Sequence, residues 1–231
     1  MTPAMERGLY IAASGMLAEQ ARQDLIAHDL ANASTPGYKP DRVSSKSFGD
    51  MLLTDTRNGQ SIGALGLGTQ IDRQVTDMTP APLRDTGEPL DFAVEGDGFF
   101  AVQTAKGVRY TRDGQFSTSA RGTLVTAAGN DVLGPTGQPV RIGAGGTVAP
   151  TAIGVVALTK PVREGDNLFT GTTARGTVGT VRGGALESSG VDPVHTMVEM
   201  LGSMRTFEAG QRVITTIDST LQKATNQVGL I

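Results

Sequence analysis

Two histidines, His28 and His195, are the only imidazoles in this chain, and no cysteine accompanies them. His195 and Glu199 stand one helical turn apart, a spacing that permits shared metal ligation, and Asp24 is an oxygen donor near His28. No HExxH motif supports such a site, so both residues read as ordinary helix-surface histidines. The lack of cysteine removes disulfides, thiolate metal sites and cysteine nucleophiles together. Asp97-Gly98 and Asp113-Gly114 place acids in glycine-rich stretches where hydrolytic chemistry is conceivable. The DxDxDG series of a calcium loop is missing, however, and Asp-Gly is foremost a hairpin-turn signal. No lysine follows a glycine, so there is no phosphate loop. The glycines of Gly63-Ala-Leu-Gly66-Leu-Gly68 are wrongly spaced for a dinucleotide fingerprint. Asn32-Ala33-Ser34 fits the glycosylation triplet but is explained as a polar helix end. The reading is a chain without catalytic residues, cofactor or metal.

Composition narrows the partners. The net charge is −3 without a basic run, so the electrostatic footprint of a nucleic-acid binder is missing. No window approaches 18 consecutive apolar residues, and no transmembrane segment is expected. The N-terminus lacks the basic-then-apolar pattern of a cleavable signal. Glycine, at 31 residues, falls mostly between Gly59 and Gly190, which suggests turns between short strands.

The elements that would position any site come next. Thr2-Pro3 and Asp192-Pro193 are both cap-then-proline starts, predicting a first helix to about Asn32 and a last helix close to the C-terminus. Alternating runs at Asp91–Thr104, Gly107–Thr118, Gly122–Gly134 and Ile153–Thr159 predict strands, with Phe99, Phe100, Tyr110 and Phe116 entering a core. Residues 38–68 show little periodicity and read as a mobile connector. The expected class is α+β: long terminal helices pairing as a coiled-coil-like inner domain, with a central glycine-rich all-β domain. The expected divisions are 1–34 for the N-terminal helix, 35–68 for elbow and connector, 69–185 for the β-rich domain and 186–231 for the C-terminal helix.

Both helices carry more apolar surface than one seam explains. On the first, Leu9, Met16, Ile26 and Leu30 occupy one side while Tyr10, Ile11, Leu17 and Leu25 occupy others. On the last, Val194, Met197, Val198, Met200, Leu201, Met204 and Phe207 form one broad face. From Val213, through Ile214, Ile217 and Leu221, that face has moved by roughly 150° at about 100° per residue. Supercoil drift of about 20° per heptad is too small to do this. Leu9, Met16, Leu17, Leu25, Ile26, Leu30, Val194, Val198, Leu201, Met204, Phe207, Ile214, Ile217 and Leu221 are therefore candidate assembly residues. Gly15, Gly202 and Gly210 each cost about 1 kcal/mol in a helix interior, a loss that close helix approach offsets. A single intramolecular coiled coil stands as the alternative. Asn32, Thr35, Pro36, Gly37, Tyr38 and Lys39 form the abrupt elbow that ends the first helix.

These residues resemble the flagellar basal-body rod and hook family of bacterial axial proteins. The resemblance is carried by GLYIAASGMLAEQ…DLIAHDLANASTPGYKPDR (Gly8 to Arg42), VEGDGFFAV (Val94 to Val102), YTRDGQFSTSARGTLVTAAGNDVLG (Tyr110 to Gly134) and LESSGVDPVHTMVEMLGSMRTFEAGQRVITTIDSTLQ (Leu186 to Gln222). It covers over half of the chain. Gly190 and His28 stand where the family usually has Asn, and Thr206-Phe207 replaces its frequent Ala-Tyr. The compact body lacks a hook subunit's large insertion and resembles a proximal- or distal-rod protein. The resemblance implies a self-assembling structural subunit, exported unfolded through the flagellar type III apparatus into the periplasm and cell envelope. Its implied neighbours are copies of itself and other rod and hook proteins, and paired helices would line a central channel in a torque-transmitting shaft. A β-rich glycan-binding or muralytic module, with dimerising helices and Asp97 or Asp113 as the acid, is the competing reading.

Overall fold

The computed structural model describes residues 3–54, 61–143, 145–174 and 179–228. Helix α1 runs Pro3–Ala31 and helix α2 Pro193–Val228. Proline fills the first position of each, where its missing N–H costs no intrahelical bond. Between them, among the described residues, are thirteen strands and one 3-10 turn, Pro150–Ala152. The α+β class follows directly. Among the described residues no helix is long and apolar enough to cross a membrane.

The chain divides into two compact units. One comprises Met1–Leu30, Asp41–Val75 and Pro193–Ile231, and the other Ala31–Pro40 and Thr76–Asp192. In the first unit, strands β1 (Asp41–Thr54) and β2 (Ser61–Thr76) pair as a two-stranded sheet. Gln74 Nε2 donates to Asp41 Oδ2 at 3.0 Å, and Lys46 pairs with Asp72. The expectation of an irregular connector over 38–68 is thus corrected for 41–54 and 61–68. Residues 55–60, at the middle of that stretch, lie outside the described residues. Backbone pairing formed this ribbon without the clean apolar alternation that sequence reading relies on.

Also in this unit, α1 and α2 touch at small residues. A methyl built on Gly210 would stand 2.7 Å from Met16 Cγ, and one on Gly8 would stand 3.6 Å from Ile217 Cδ1. Ser203 Oγ donates to Glu19 Oε2 at 2.6 Å. Partners that ascend along α1 descend along α2, so the helices run in opposite directions. Gly210 serves the close approach expected of it, whereas positions Gly15 and Gly202 have nothing within 4 Å.

The second unit is built on a seven-stranded antiparallel sheet. It contains β5 (Phe99–Thr104), β6 (Gly107–Thr111), β7 (Phe116–Thr118), β8 (Leu124–Thr126), β9 (Asp131–Val132), β10 (Val155–Gly165) and β11 (Leu168–Ala174). The order is β10-β11-β6-β5-β9-β8-β7. Val155 and Val156 of β10 also pair with Phe100 and Phe99 of β5, which closes β5, β6, β11 and β10 into a ring. Two smaller ladders join β12 (Thr180–Gly183) to β4 (Phe92–Glu95) and β13 (Ala185–Glu187) to β3 (Leu83–Asp85).

The core gathers Phe92, Val94, Phe100, Val102, Phe116, Leu124, Val132, Val140, Val148 and Ile153. Phe100 meets Phe116 edge-on at 5.3 Å between ring centroids. Phe99 points from the opposite side of β5 and packs on Phe169 at 5.5 Å, so both faces of this strand are buried. Neither Asp-Gly pair closes a hairpin, because Asp97-Gly98 separates β4 from β5 and Asp113-Gly114 separates β6 from β7, strands that do not pair. The tight turn belongs instead to Asp166-Asn167, between the paired residues Gly165 and Leu168. Their φ values of 47° and 57° are what a type I′ turn requires. Replacing Phe100 with Ala is expected to lower the unfolding free energy by about 3–5 kcal/mol. Urea denaturation checks this, and a loss below about 1 kcal/mol would contradict the packing described.

Candidate functional site

The segment after α1 is short, polar and stopped by Pro36-Gly37, and its residues belong to the second unit. It tightens through successive turns: Thr35 N–H donates to Asn32 O at 3.1 Å and Tyr38 N–H to Thr35 O at 3.3 Å. Gly37 adopts φ +62°, and a methyl there would stand 2.3 Å from the Arg112 backbone. Only glycine meets both demands. Gly37 N–H donates to Glu187 O at 2.8 Å and Gly190 N–H to Tyr38 O at 2.9 Å, which ties the segment to β13 and the residues following it.

Around this backbone lies a buried ionic cluster. Lys39 Nζ donates to Glu187 Oε1 at 2.6 Å, and Arg112 Nη1 to Glu187 Oε2 at 3.1 Å. Lys39 and Glu187 each retain 1% side-chain exposure, and Arg112 3%. The remaining polar capacity is largely used. Lys39 reaches Thr79 O at 2.8 Å, Arg112 reaches Gly96 O at 2.8 Å, and Ala81 N–H donates to Glu187 Oε1 at 2.8 Å. Arg163 stacks 4.6 Å above the Tyr38 ring, donates to Tyr38 Oη at 3.1 Å, and also donates to Lys39 O. Asn167 Nδ2 donates to Pro36 O at 3.2 Å and Ser189 Oγ to Asn32 O at 3.1 Å. All six elbow residues named from sequence therefore lie in one constellation. Sequence reasoning missed Arg112, Arg163 and Glu187. No local signal points to them, because the burial of Lys39 that demands an acid is itself set by the fold.

The helix residues divide differently. Ile26 is buried, and Met16, Leu25, Leu30, Phe207, Ile214, Ile217 and Leu221 are half-buried. Leu9 and Met204 are exposed, as are Leu17 at 67%, Val194 at 72%, Val198 at 62% and Leu201 at 56%. Val194, Met197, Val198, Leu201 and Met204 follow i, i+3, i+4, i+7, i+10 spacing, a continuous apolar stripe along α2 rather than scattered residues. A second apolar surface is the groove of about 560 Å³ lined by Gly8, Ala12, Gly15, Ile71 and Val213 of the first unit.

The chemistry-capable residues do not converge. His195 Nε2 meets Glu199 Oε1 at 3.2 Å on the surface of α2, and His28 and Asp24 are exposed on α1. Among the described residues no three His, Cys, Asp or Glu could hold a metal ion. Asp97 is exposed. Burial pushes the Asp113 carboxyl above its ordinary value of 3.8, the Gln115 N–H bond partly opposes this, and the Asp91 charge adds to it.

Comparison with known proteins now bears on these surfaces. Residues 9–39 match the model described as "Flagella basal body rod protein". Residues 93–156 match "Flagellar hook protein FlgE/F/G D1 domain", and residues 182–227 match "Flagellar basal body rod FlgEFG protein C-terminal". The chain is 31% identical over 264 residues to the flagellar basal-body rod protein FlgG of Bacillus subtilis, covering 96% of this chain and 99% of that one. It is 31% identical over 248 residues to FlgF of Caulobacter vibrioides, with 98% and 100% covered. FlgF of Salmonella typhimurium is 32% identical over 248 residues, with 93% and 95% covered. The chain belongs to the flagellar basal-body rod protein family. It is a component of the flagellar basal body.

Two outcomes test the electrostatics. Glu187→Gln leaves two buried cations without their counter-charge and is expected to cost about 3–5 kcal/mol of unfolding free energy in urea titration. Asp113 has a folded pKa above its unfolded one, so its ionised form opposes folding at neutral pH. That penalty is relieved as pH falls through the folded and then the unfolded value. Asp113→Asn keeps the acceptor for Gln115 and is expected to raise the melting temperature at pH 7, with the gain vanishing in acid. A variant less stable than the parent at pH 7 would contradict this assignment.

Proposed function

We propose that this protein is a structural subunit that assembles helically with copies of itself through its terminal helices, forming part of the torque-transmitting axial shaft and its export channel. The observation that carries this reading is the exposed stripe Val194, Met197, Val198, Leu201 and Met204, accompanied on α1 by exposed Leu9, Tyr10, Ile11 and Leu17. Each large apolar side chain removed from water contributes about 1.5–3 kcal/mol, so these residues together can offset the cost of fixing subunits in a lattice. In the assembly the helices pair as an inner, coiled-coil-like layer, with the groove beside Gly15 receiving side chains from a neighbour. The divisions follow function: helices with the β1–β2 ribbon for assembly, and 76–192 with the elbow as the outer body. Neighbouring rod and hook proteins and the type III export apparatus are the further partners, the protein passing unfolded into the periplasm. It works without catalysis or cofactor.

Leu17→Gln and Leu201→Gln alter residues that are exposed in the single chain. Each is expected to change monomer stability by less than about 0.5 kcal/mol while raising the concentration needed for assembly at least tenfold. Sedimentation of the concentrated protein reads the second effect. Parent protein that stays monomeric at every concentration, or variants that assemble like the parent, would refute the proposal.

A further inference from the structure

We infer that Met197 and Met204 form an oxidation-sensitive site through which two-electron oxidants, such as hydroperoxides, block assembly of the free subunit. This inference rests on the self-assembly reading above. The chain has no cysteine and no tryptophan, so thioethers are its most readily oxidised side chains. Three of its eight methionines, Met197, Met200 and Met204, fall within two turns of α2. Two of them are open to solvent, Met197 at 52% and Met204 at 43%. Met200 is half-buried, as is Met16, which is held against Gly210. Met78 is half-buried as well, so among the methionines whose burial is described exposure selects the pair on the apolar stripe.

The step is an oxygen-atom transfer. The methionine sulfur attacks the peroxide, an S–O bond forms as the O–O bond breaks, sulfur gives up two electrons and hydrogen peroxide leaves as water. The product is a polar, chiral sulfoxide in place of an apolar, flexible thioether. On the free monomer the sulfoxide stays hydrated and costs nothing. Within an apolar interface it must shed its water without a hydrogen-bond donor, so the oxidised subunit is refused. A subunit already assembled has its thioethers covered and resists the same oxidant. Methionine sulfoxide reductase, taking two electrons from a dithiol and releasing the oxygen as water, reverses the change.

The full-length monomer is treated with hydrogen peroxide, and the gain of one oxygen is mapped by peptide mass spectrometry. Met197 and Met204 are expected to oxidise at least fivefold faster than Met16 and Met200, and equal rates would overturn the site. Sedimentation is then compared for untreated, oxidised and reductase-repaired protein. Oxidation is expected to raise the assembly concentration at least tenfold, with repair restoring it. Met204→Gln, which places a polar side chain there without oxidant, is expected to shift assembly in the same direction. In Met197→Leu/Met204→Leu the ratio of treated to untreated assembly concentration should return to about one. Untreated protein that assembles while oxidised protein assembles equally well overturns this inference alone. Untreated protein that never assembles sinks the self-assembly reading and the inference together.

Discussion

A carboxylate taken out of water must be answered by positive charge, and in this molecule Glu187 is answered by Lys39 from one end of the chain and Arg112 from its middle. Lys39 and Glu187 are separated by 148 positions, yet their ion pair sits where neither retains meaningful contact with solvent. Desolvating three charged groups is expensive, and the Coulomb attraction repays it only with good geometry and filled hydrogen-bond positions. The carbonyls of Thr79 and Gly96 and the amide of Ala81 supply those positions. The elbow therefore has one acceptable conformation. Gly37 permits it sterically, and Arg163 covers it by lying over Tyr38.

The first unit is governed by the opposite economy. Its helices meet through Gly8, Gly210 and the Ser203–Glu19 hydrogen bond, contacts that use little side-chain bulk. Large apolar groups are consequently directed outward on α2 between Val194 and Met204. Within one polypeptide, a charged interior fixes the second unit and a greasy exterior marks the first. This division is the one the proposed assembly through the terminal helices requires.

The helices were legible because their signals are local. Pro3 and Pro193 open them, and a polar cluster with Pro36-Gly37 closes the first. The strands bearing Phe92, Phe100, Phe116 and Leu124 were legible because alternation into a core is also local. Legibility failed where structure depends on distant pairing. Strands β12 and β13 are three or four residues long, and their ladders are specified by β4 and β3, partners far away in sequence. The β1–β2 ribbon pairs neighbouring segments but lacks the apolar alternation by which a strand is read from sequence. The Asp-Gly signals mark breaks between strands but not hairpins, while Asp166-Asn167 makes a tight turn with residues less distinctive than Asn-Gly. At the elbow, the six residues were visible as a stop, but their anchors Arg112, Arg163 and Glu187 are joined to them only by folding.

Closure of β5, β6, β11 and β10 on themselves has a bearing on how the folded second unit resists aggregation. An open ribbon offers unpaired amides and carbonyls that can template the strands of another molecule, which is the route to amyloid-like clumping. In this ring those groups are largely spent internally, and the strand that ends the described sheet, β7, is only three residues long. The ring of the second unit thus offers little backbone for indiscriminate adhesion, in contrast to the two-stranded β1–β2 sheet of the first unit.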